Sequence, residues 1–149
     1  MINWYSKEFG NLTPHELYAI LQLRTEVFVV EQDCVFQDMD GKDEHCHHIM
    51  GWDGDKLIAT SRIVPPGIAY EFPSIGRIVT SPAARGQRLG KALVNKSIEA
   101  LNKLFGNSTI RIGAQLYLKK FYESFGFEQS GDVYDEDGID HIQMTRISG

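Results

Sequence analysis

The residues that most clearly suggest a chemical function are three cations, Arg85, Arg88 and Lys91. They fall in a glycine-bearing turn at a predicted helix start. A helix start leaves backbone N–H groups unpaired and carries the positive end of the helix dipole, so it attracts anions such as phosphate. Cations in the first turn oppose that dipole and cost roughly a few tenths of a kcal/mol each. Their clustering therefore indicates that an anion binds between them.

The turn itself, RGQRLG over residues 85–90, matches no specific nucleotide motif. It lacks the G-x-x-x-x-G-K-[ST] pattern of a P-loop and the G-x-G-x-x-G pattern of dinucleotide-binding folds. A tight turn with a solvated basic edge is the alternative interpretation. From these residues alone, the turn is a phosphate-binding candidate of unspecified type.

Four residues of types that often bind metals, His45, Cys46, His47 and His48, lie next to one another along the chain. Neighbouring residues on a strand point to opposite faces, so these four side chains do not converge on one ion. We therefore expect no metal site. The two cysteines, Cys34 and Cys46, are too few for a disulfide framework and are expected to be reduced thiols.

The composition is that of a soluble globular protein. The chain has 149 residues, of which 42% are hydrophobic and 23% charged, which predicts one domain over residues 1–149. A net charge of −5 argues against a nucleic-acid partner, which needs a broad basic face. No apolar run approaches the ~20 residues of a membrane span and the N-terminus does not resemble a signal peptide, so we expect a cytoplasmic location without membrane contact.

The predicted elements begin with a strand over residues 2–5 and a helix over residues 14–32. Thr13, Pro14 and Glu16 combine a capping box with proline at the first helical position. The inward face predicted by three- and four-residue spacing comprises Leu17, Ile20, Leu21 and Phe28. An aperiodic loop then precedes the rest of the chain.

The remaining pattern alternates strands and helices. The predicted bounds are a loop over 33–44, hairpin strands over 47–52 and 56–64, a strand over 75–79, a helix from about 88 to 105, a strand over 109–114, a helix over 115–125, a strand from 127, a turn over 132–140 and a strand over 139–147. This order predicts an α/β fold, with a mixed and mostly antiparallel central sheet flanked by helices on both faces.

Several of these segments together resemble a known family. The strand, RGQRLG turn and helix, with GAQLYLKKFYESFGF downstream over residues 113–127, resemble the two core motifs of the GNAT N-acetyltransferase superfamily. LRTEVFVVEQDCVFQDMDGKD near the front and YDEDGIDHIQM near the end resemble its ElaA-like branch. The resemblance covers nearly the whole chain. It implies an acyl-CoA N-acyltransferase fold with acetyl-CoA as the donor.

The same resemblance implies a coenzyme A site. Backbone groups of Ile78 and Val79 are expected to hold the pantetheine arm and to orient the thioester carbonyl. In the family's R-x-x-G-x-G pattern, Arg85 and Gly90 match, while Arg88 stands where glycine is common. The residues expected to cradle the pyrophosphate through their amides are Gly86, Gln87, Arg88, Leu89, Gly90 and Lys91.

Tyr122 matches the tyrosine that in many members of the family protonates the departing CoA thiolate. A phenol supplies that proton without leaving a buried charge beforehand, although an ordinary core tyrosine is the alternative interpretation. The acceptor amine must also lose a proton, to a base or a water chain. The sequence offers Glu31, Asp40, His48 and His141 as bases and does not choose among them.

The acceptor is expected to be a primary amine of a small molecule or peptide, and the sequence leaves its charge open. Arg24, Arg62 and Arg77, with Gln32, are predicted to bind it, and buried arginines favour a carboxylate, as in an amino acid. The acidic segment over residues 132–140, otherwise a solvated turn, favours a cationic amine through its field.

Other functions also remain open. A CoA-binding sensor or interaction module binds CoA without transfer, and a nucleotide-binding protein prefers ATP or NAD. A homodimer is compatible with the sequence.

Overall fold

The computed structural model describes residues 1–86 and 88–148, and eight strands and three α-helices lie in these ranges. The strands are β1 (Asn3–Glu8), β2 (His47–Asp53), β3 (Lys56–Val64), β4 (Ser74–Thr80), β5 (Ile110–Gln115), β6 (Glu128–Gln129), β7 (Tyr134–Glu136) and β8 (Ile139–Arg146). The α-helices are α1 (Pro14–Arg24), α2 (Leu89–Phe105) and α3 (Lys119–Glu123). This order is the predicted one with β7 added.

The strands form two antiparallel sheets that meet at β4 and β5. The first sheet has the order β1-β2-β3-β4, and in the second β8 pairs with β5, β6 and β7. The Arg111 N–H donates a backbone hydrogen bond of 3.2 Å to the Pro73 carbonyl, just before β4 begins. Within the described residues no ladder joins β4 to β5, so the sheet is open there.

A β-bulge distorts β4 beside this opening. Arg77 and Ile78 together oppose Ser61 of β3, between two regular ladder positions. Arg77 has a φ of +47°, in the left-handed region. A bulge leaves backbone groups outside the ladder and increases the local twist. Backbone groups at Arg77 and Ile78 therefore lie outside the regular pairing.

Helices cover both faces of the first sheet. The neighbours Ile49 and Met50 on β2 belong to different apolar clusters: Ile49 packs with Leu93 and Leu101 of α2, whereas Met50 packs with Ile20 of α1. Each of these side chains is at most 2% exposed. The predicted arrangement of a sheet between helices is confirmed. No helix in the described part of the chain is long and apolar enough to cross a membrane.

The first helix begins where the sequence predicts and changes its winding before it ends. The Thr13 hydroxyl accepts the Glu16 N–H (3.1 Å) and the Glu16 carboxylate accepts the Thr13 N–H (2.8 Å), which completes the capping box. After Arg24 the chain continues as a π-helix over Thr25–Glu31, a form frequent at functional sites. The predicted extent to residue 32 is nearly correct, but only the first eleven residues are α-helical.

The inward face of this helix differs from the prediction. Its buried residues, in the α-helical and π-helical parts together, are Ile20, Leu23, Arg24 and Val27. Leu17 and Leu21 are only half-buried. These buried residues keep three- and four-residue spacing although one of them is charged. Arg24 can be buried because carboxylates distant in sequence neutralise it.

The rear of the chain departs from the prediction in two places. β5 runs to Gln115 and a 3₁₀ turn comes directly after it, so the helix predicted over 115–125 is reduced to α3. The turn predicted over 132–140 contains β7 and a tight turn at Asp137 and Gly138, whose φ values are +53° and +84°. Asp-Gly at the centre of a hairpin favours such a turn, so an ordered hairpin, β7–β8, replaces the irregular segment.

Candidate active site

A cleft of about 800 Å³ lies where β4 and β5 separate. The end of the π-helix and the loop of residues 33–44 line one side, and α3 and the β7–β8 hairpin line the other. The sequence-predicted residues in its lining are Glu31, Gln32, Asp40, Arg77, Ile78, Val79, Arg85, Gly90, Tyr122 and His141. The predicted residues that do not belong to the lining formed by the described residues are Arg24, His48, Arg62, Gly86, Arg88, Leu89 and Lys91.

Near Gly90 the cleft meets the start of α2, where backbone amides lack helical partners. The Ala92 N–H donates to the Arg88 carbonyl (3.2 Å), which leaves the amides of Leu89, Gly90 and Lys91 as free donors of a first turn. No side-chain hydrogen bond caps this helix in the described residues. The Leu89 side chain is buried in the core, so its part in anion binding is limited to its amide.

The turn before α2 has the left-handed backbone that glycine favours. Gly86 has a φ of +89° and Arg88 a φ of +58°. A side chain in that region costs about 1–2 kcal/mol, a cost that Arg88 bears and that a glycine at the same position would avoid. Gln87, also predicted to bind here, lies outside the described residues.

Arg85 pairs with Glu31 through two hydrogen bonds of 2.7 Å and 2.6 Å between its two Nη atoms and the carboxylate oxygens. The hydrogen bond from Arg85 lowers the pKa of Glu31, so the carboxylate stays ionised and accepts a proton from an amine poorly. A predicted phosphate ligand and a predicted base thus neutralise each other beside the cleft.

Three arginines and three aspartates alternate in a closed circle of ion pairs, which we call the Arg–Asp ring. In order around the circle they are Arg24, Asp38, Arg77, Asp40, Arg62 and Asp43, which returns to Arg24. The contact between Arg77 Nη2 and Asp40 Oδ2 measures 3.5 Å, and the other five lie between 2.6 and 2.9 Å. All three aspartates belong to the loop of residues 33–44.

The ring changes the roles predicted for its arginines. Arg24 and Arg62 are 1% and 5% exposed, and their guanidinium groups are held by the chain's own carboxylates. The prediction that they bind an acceptor carboxylate is therefore wrong, because they anchor a loop instead. Arg77 lines the cleft, but its Nε and Nη2 donate to the Asp38 carboxylate and carbonyl.

Asp40 and Asp43 of the ring are held in the ionised form by their arginine partners. Asp40, a predicted base, receives hydrogen bonds from Arg62 that hold its pKa well below its usual range. Burial alone would raise the pKa of Asp43, but hydrogen bonds and charge from Arg24 and Arg62 outweigh it and lower that pKa. Neither carboxylate is a good proton acceptor at neutral pH.

His48, another predicted base, supports the ring from β2. It is 1% exposed, and its Nε2–H donates to the Asp43 carbonyl at 2.9 Å. Burial lowers its pKa. Because His48 lies outside the described cleft lining, the prediction that it acts as the base is corrected to a structural role.

Tyr122 lies on α3 and is 6% exposed. Its ring packs edge-on against Phe121 and Phe127, with centroids 5.2 Å and 6.1 Å away. Its hydroxyl has no hydrogen-bond partner among the described residues, and burial raises its pKa. Tyr122 is therefore a neutral phenol with a free proton in the cleft lining.

His141 lies on β8 in the same lining. Its Nδ1–H donates to the Ile139 carbonyl (2.8 Å), which fixes the ring, and its Nε2 lies 3.3 Å from Glu136 Oε2. The Tyr134 ring lies beside it, with centroids 5.7 Å apart. Of the four predicted bases, His141 is the one in the described lining without an arginine partner.

Two contacts join opposite walls of the cleft. The side-chain amides of Gln32 and Gln115 exchange hydrogen bonds of 3.3 Å. The Cys34 thiol donates to the Asp137 carbonyl at 3.1 Å. Sequence reasoning missed Gln115 and Asp137, although Gln115 falls in the rear motif and Asp137 in the Asp-Gly turn.

The cysteines are free and buried. The Cys46 thiol donates to the Lys42 carbonyl at 3.2 Å, and burial raises its pKa to about 11. Within residues 1–86 and 88–148, no group of three or more His, Cys, Asp and Glu side chains is arranged to hold a metal ion.

Comparison with known proteins identifies the family of the chain. A sequence model described as an acetyltransferase (GNAT) domain matches residues 13–148. The chain belongs to the GNAT acetyltransferase family. It is 43% identical to Protein ElaA of Escherichia coli over 148 residues, which span 98% of this chain and 97% of that protein. A UPF0039 protein of Synechocystis is 40% identical, over 96% of this chain and 94% of that protein.

Solved structures agree with this membership. The crystal structure of E. coli ElaA matches with a TM-score of 0.92 at 42% identity, over 98% of this chain and 99% of that one. An acyl-CoA N-acyltransferase from Pseudomonas aeruginosa matches with a TM-score of 0.94, the same identity and the same coverage. The predicted α/β fold and the ElaA-like resemblance are confirmed, and the family connects the chain with acyl transfer in general.

The first prediction concerns the Arg–Asp ring. Arg24→Met removes one charge and leaves Asp38 and Asp43 with one arginine each. Because one buried carboxylate charge is then uncompensated, we expect the free energy of unfolding to fall by about 3–5 kcal/mol. Urea denaturation measures it. As a control, Lys103→Met breaks an exposed pair with Glu99 (3.6 Å) and should change stability by less than about 1 kcal/mol. Equal small losses in both variants would refute the ring's anchoring role.

The ring also predicts how stability depends on pH. The pKa of Asp40 is lower in the folded state than in the unfolded state. Between these two pKa values, the unfolded state therefore binds more protons. The stabilisation is therefore present above about pH 4 and is lost as the pH falls further. The difference in unfolding free energy between the native chain and Asp40→Asn should shrink between about pH 4 and about pH 2, as measured by denaturation at each pH. A difference independent of pH would contradict the ion-pair explanation.

Proposed function

We propose that the chain is an acetyl-CoA-dependent N-acetyltransferase, which transfers the acetyl group to a primary amine by direct attack on the thioester. The observation that carries this proposal is that Tyr122 and His141 line one cleft that leads to the start of α2. A proton donor, a proton acceptor and an anion-binding helix start are the groups this reaction requires.

The donor is assigned to the opening between β4 and β5. The amides from Gly86 to Lys91 cradle the pyrophosphate, and Arg88 and Lys91 supply countercharge. Arg85 adds to it when it leaves its pair with Glu31. Two observations support this fit: the amides at the start of α2 are unpaired, and Gly86 has the positive φ of a turn that exposes backbone donors. Backbone groups of Ile78 and Val79, at and next to the bulge, hold the pantetheine arm.

The chemical step needs two proton transfers. The amine nitrogen forms a bond to the thioester carbonyl carbon, and the carbon–sulfur bond breaks. Tyr122 gives its hydroxyl proton to the departing sulfur, and His141 Nε2 takes the proton that the amine loses. Exchange with water then restores both side chains. The raised pKa of Tyr122 favours this role because the phenol remains protonated until the thiolate forms.

Tyr122→Phe tests the proton donor. We expect kcat to fall by about 10²- to 10⁴-fold, with little change in CoA affinity, because the ring packing is kept. Free-thiol release from acetyl-CoA with a panel of amines measures kcat, and isothermal titration measures CoA binding. Tyr117→Phe is the matched control, because Tyr117 also lines the cleft but is 74% exposed.

Two outcomes would overturn this assignment. Full kcat in Tyr122→Phe would remove the role of the hydroxyl. CoA binding by the native chain without thiol release, for any amine of the panel, would favour a CoA-binding sensor over a transferase.

Arg88→Gly tests the pyrophosphate site. Glycine relieves the left-handed backbone but is more flexible when unfolded, so we expect stability to rise by at most about 1 kcal/mol. Loss of the countercharge should weaken CoA binding by about two- to fivefold, as measured by isothermal titration. Arg88→Lys, which keeps the charge, should bind nearly as the native chain does. Tighter binding in Arg88→Gly would mean that the side chain obstructs the site.

A further inference from the structure

His141 and Glu136 face each other, and when the imidazole is neutral their contact has no donor. The Nδ1–H of His141 is directed to the Ile139 carbonyl, so Nε2 of the neutral ring carries a lone pair. That lone pair lies 3.3 Å from Glu136 Oε2, another acceptor. A group with several N–H donors between them would satisfy both acceptors, and a primary ammonium is such a group.

Two tyrosine hydroxyls converge beside Gly113, which lines the cleft, whereas Tyr70 and Tyr134 themselves are not part of the described lining. A Cβ atom built on Gly113 would lie 2.7 Å from the Tyr134 hydroxyl and 3.1 Å from the Tyr70 hydroxyl, so a residue with a side chain would push both away. Neither hydroxyl has a hydrogen-bond partner in the part of the chain that the structure describes. Burial raises the pKa of both tyrosines, and the nearby charge of Glu136 raises it further. Both hydroxyls therefore stay neutral, and their oxygens can accept a hydrogen bond from a cation.

The charges of the cleft favour the same class of ligand. The cations in the described lining, Lys42, Arg77 and Arg85, each lie within 4 Å of a carboxylate of the chain itself. Glu136 and Asp137 have no Lys or Arg within that distance among the described residues. The end of the cleft near the β7–β8 hairpin thus keeps negative charge, while nothing described there is free to bind a carboxylate.

A buried group shows that this is more than an acidic surface. Tyr122, 6% exposed, lines the same cleft with a hydroxyl that has no described partner. The Tyr122 oxygen is not among the buried unpaired polar atoms of the described residues, so it is accessible from the cleft, where a ligand can satisfy it. The acidic end and this hydroxyl therefore belong to one ligand site.

We propose that His141, Glu136 and the hydroxyls of Tyr70 and Tyr134 form a receptor for an ammonium group, and that the acceptor is a small aliphatic amine without a carboxylate. This inference rests on the proposed transferase function for its context. In that context, the receptor binds the protonated amine, which first loses one proton to His141. His141 passes that proton to water and then takes the second proton as the nitrogen bonds to the thioester carbonyl carbon. Glu136 acts as a specificity residue because it holds the positive charge of the acceptor.

Three amines of matched length test the proposal: 1,4-diaminobutane, n-butylamine and 4-aminobutanoate. Each is titrated calorimetrically into the protein in the presence of CoA, so the readout does not depend on catalysis. We expect the first two to bind at least tenfold more tightly than 4-aminobutanoate. Glu136→Gln should reduce that ratio several-fold, because the carboxylate that repels the anionic end is gone. Glu136 is largely exposed, so this variant is expected to fold.

Glu99→Gln is the matched control, because Glu99 is an exposed carboxylate on α2 outside the described lining. Its ratio should equal that of the native chain. Binding of 4-aminobutanoate as tight as that of n-butylamine, or an unchanged ratio in Glu136→Gln, would overturn the receptor. Free-thiol release with the same amines is measured separately: selective binding without release supports the receptor and overturns the transferase function.

Discussion

The Arg–Asp ring is the interaction on which the arrangement of the cleft depends. The loop of residues 33–44 forms one wall, yet most of it lies outside regular secondary structure. Charge fixes this loop, because its three aspartates meet three arginines contributed by α1, β3 and β4. Such pairs gain little over well-packed apolar groups, but removing one partner leaves an uncompensated buried charge. The loop therefore keeps its position only while all six members of the ring are paired.

The ring also connects the loop to the strand expected to hold the donor. Arg77 belongs to the bulge of β4 and at the same time binds Asp38. Its left-handed backbone is a strained conformation, which persists where surrounding contacts over-determine it. The strand expected to hold the donor and the loop that forms one wall of the cleft thus share one residue.

The sequence predicted the features that depend on local chemistry. Thr13 and Glu16 indicated the start of α1, whereas Tyr122 was singled out by the family resemblance of the rear motif and not by its local pattern. The ring was not predictable, because its hydrogen-bonded partners are 14 to 39 residues apart and single residues do not reveal such pairs. For the same reason the sequence predicted that Arg24 binds the acceptor, and it could not distinguish His48 from His141 as the candidate base. The β7–β8 hairpin was missed although Asp137 and Gly138 carried the turn pattern.

The π-helical segment sets a constraint on chain length. The Gln32 N–H donates to the Val27 carbonyl and the Cys34 N–H to the Val29 carbonyl, each five residues back, at 3.0 Å. Removing a single residue here would convert the wider turn to ordinary α-helix and rotate the downstream residues by about 100°. Glu31 would then turn away from Arg85. This segment of the chain should therefore tolerate substitutions more readily than insertions or deletions, because residue count rather than residue type keeps the two cleft walls in register.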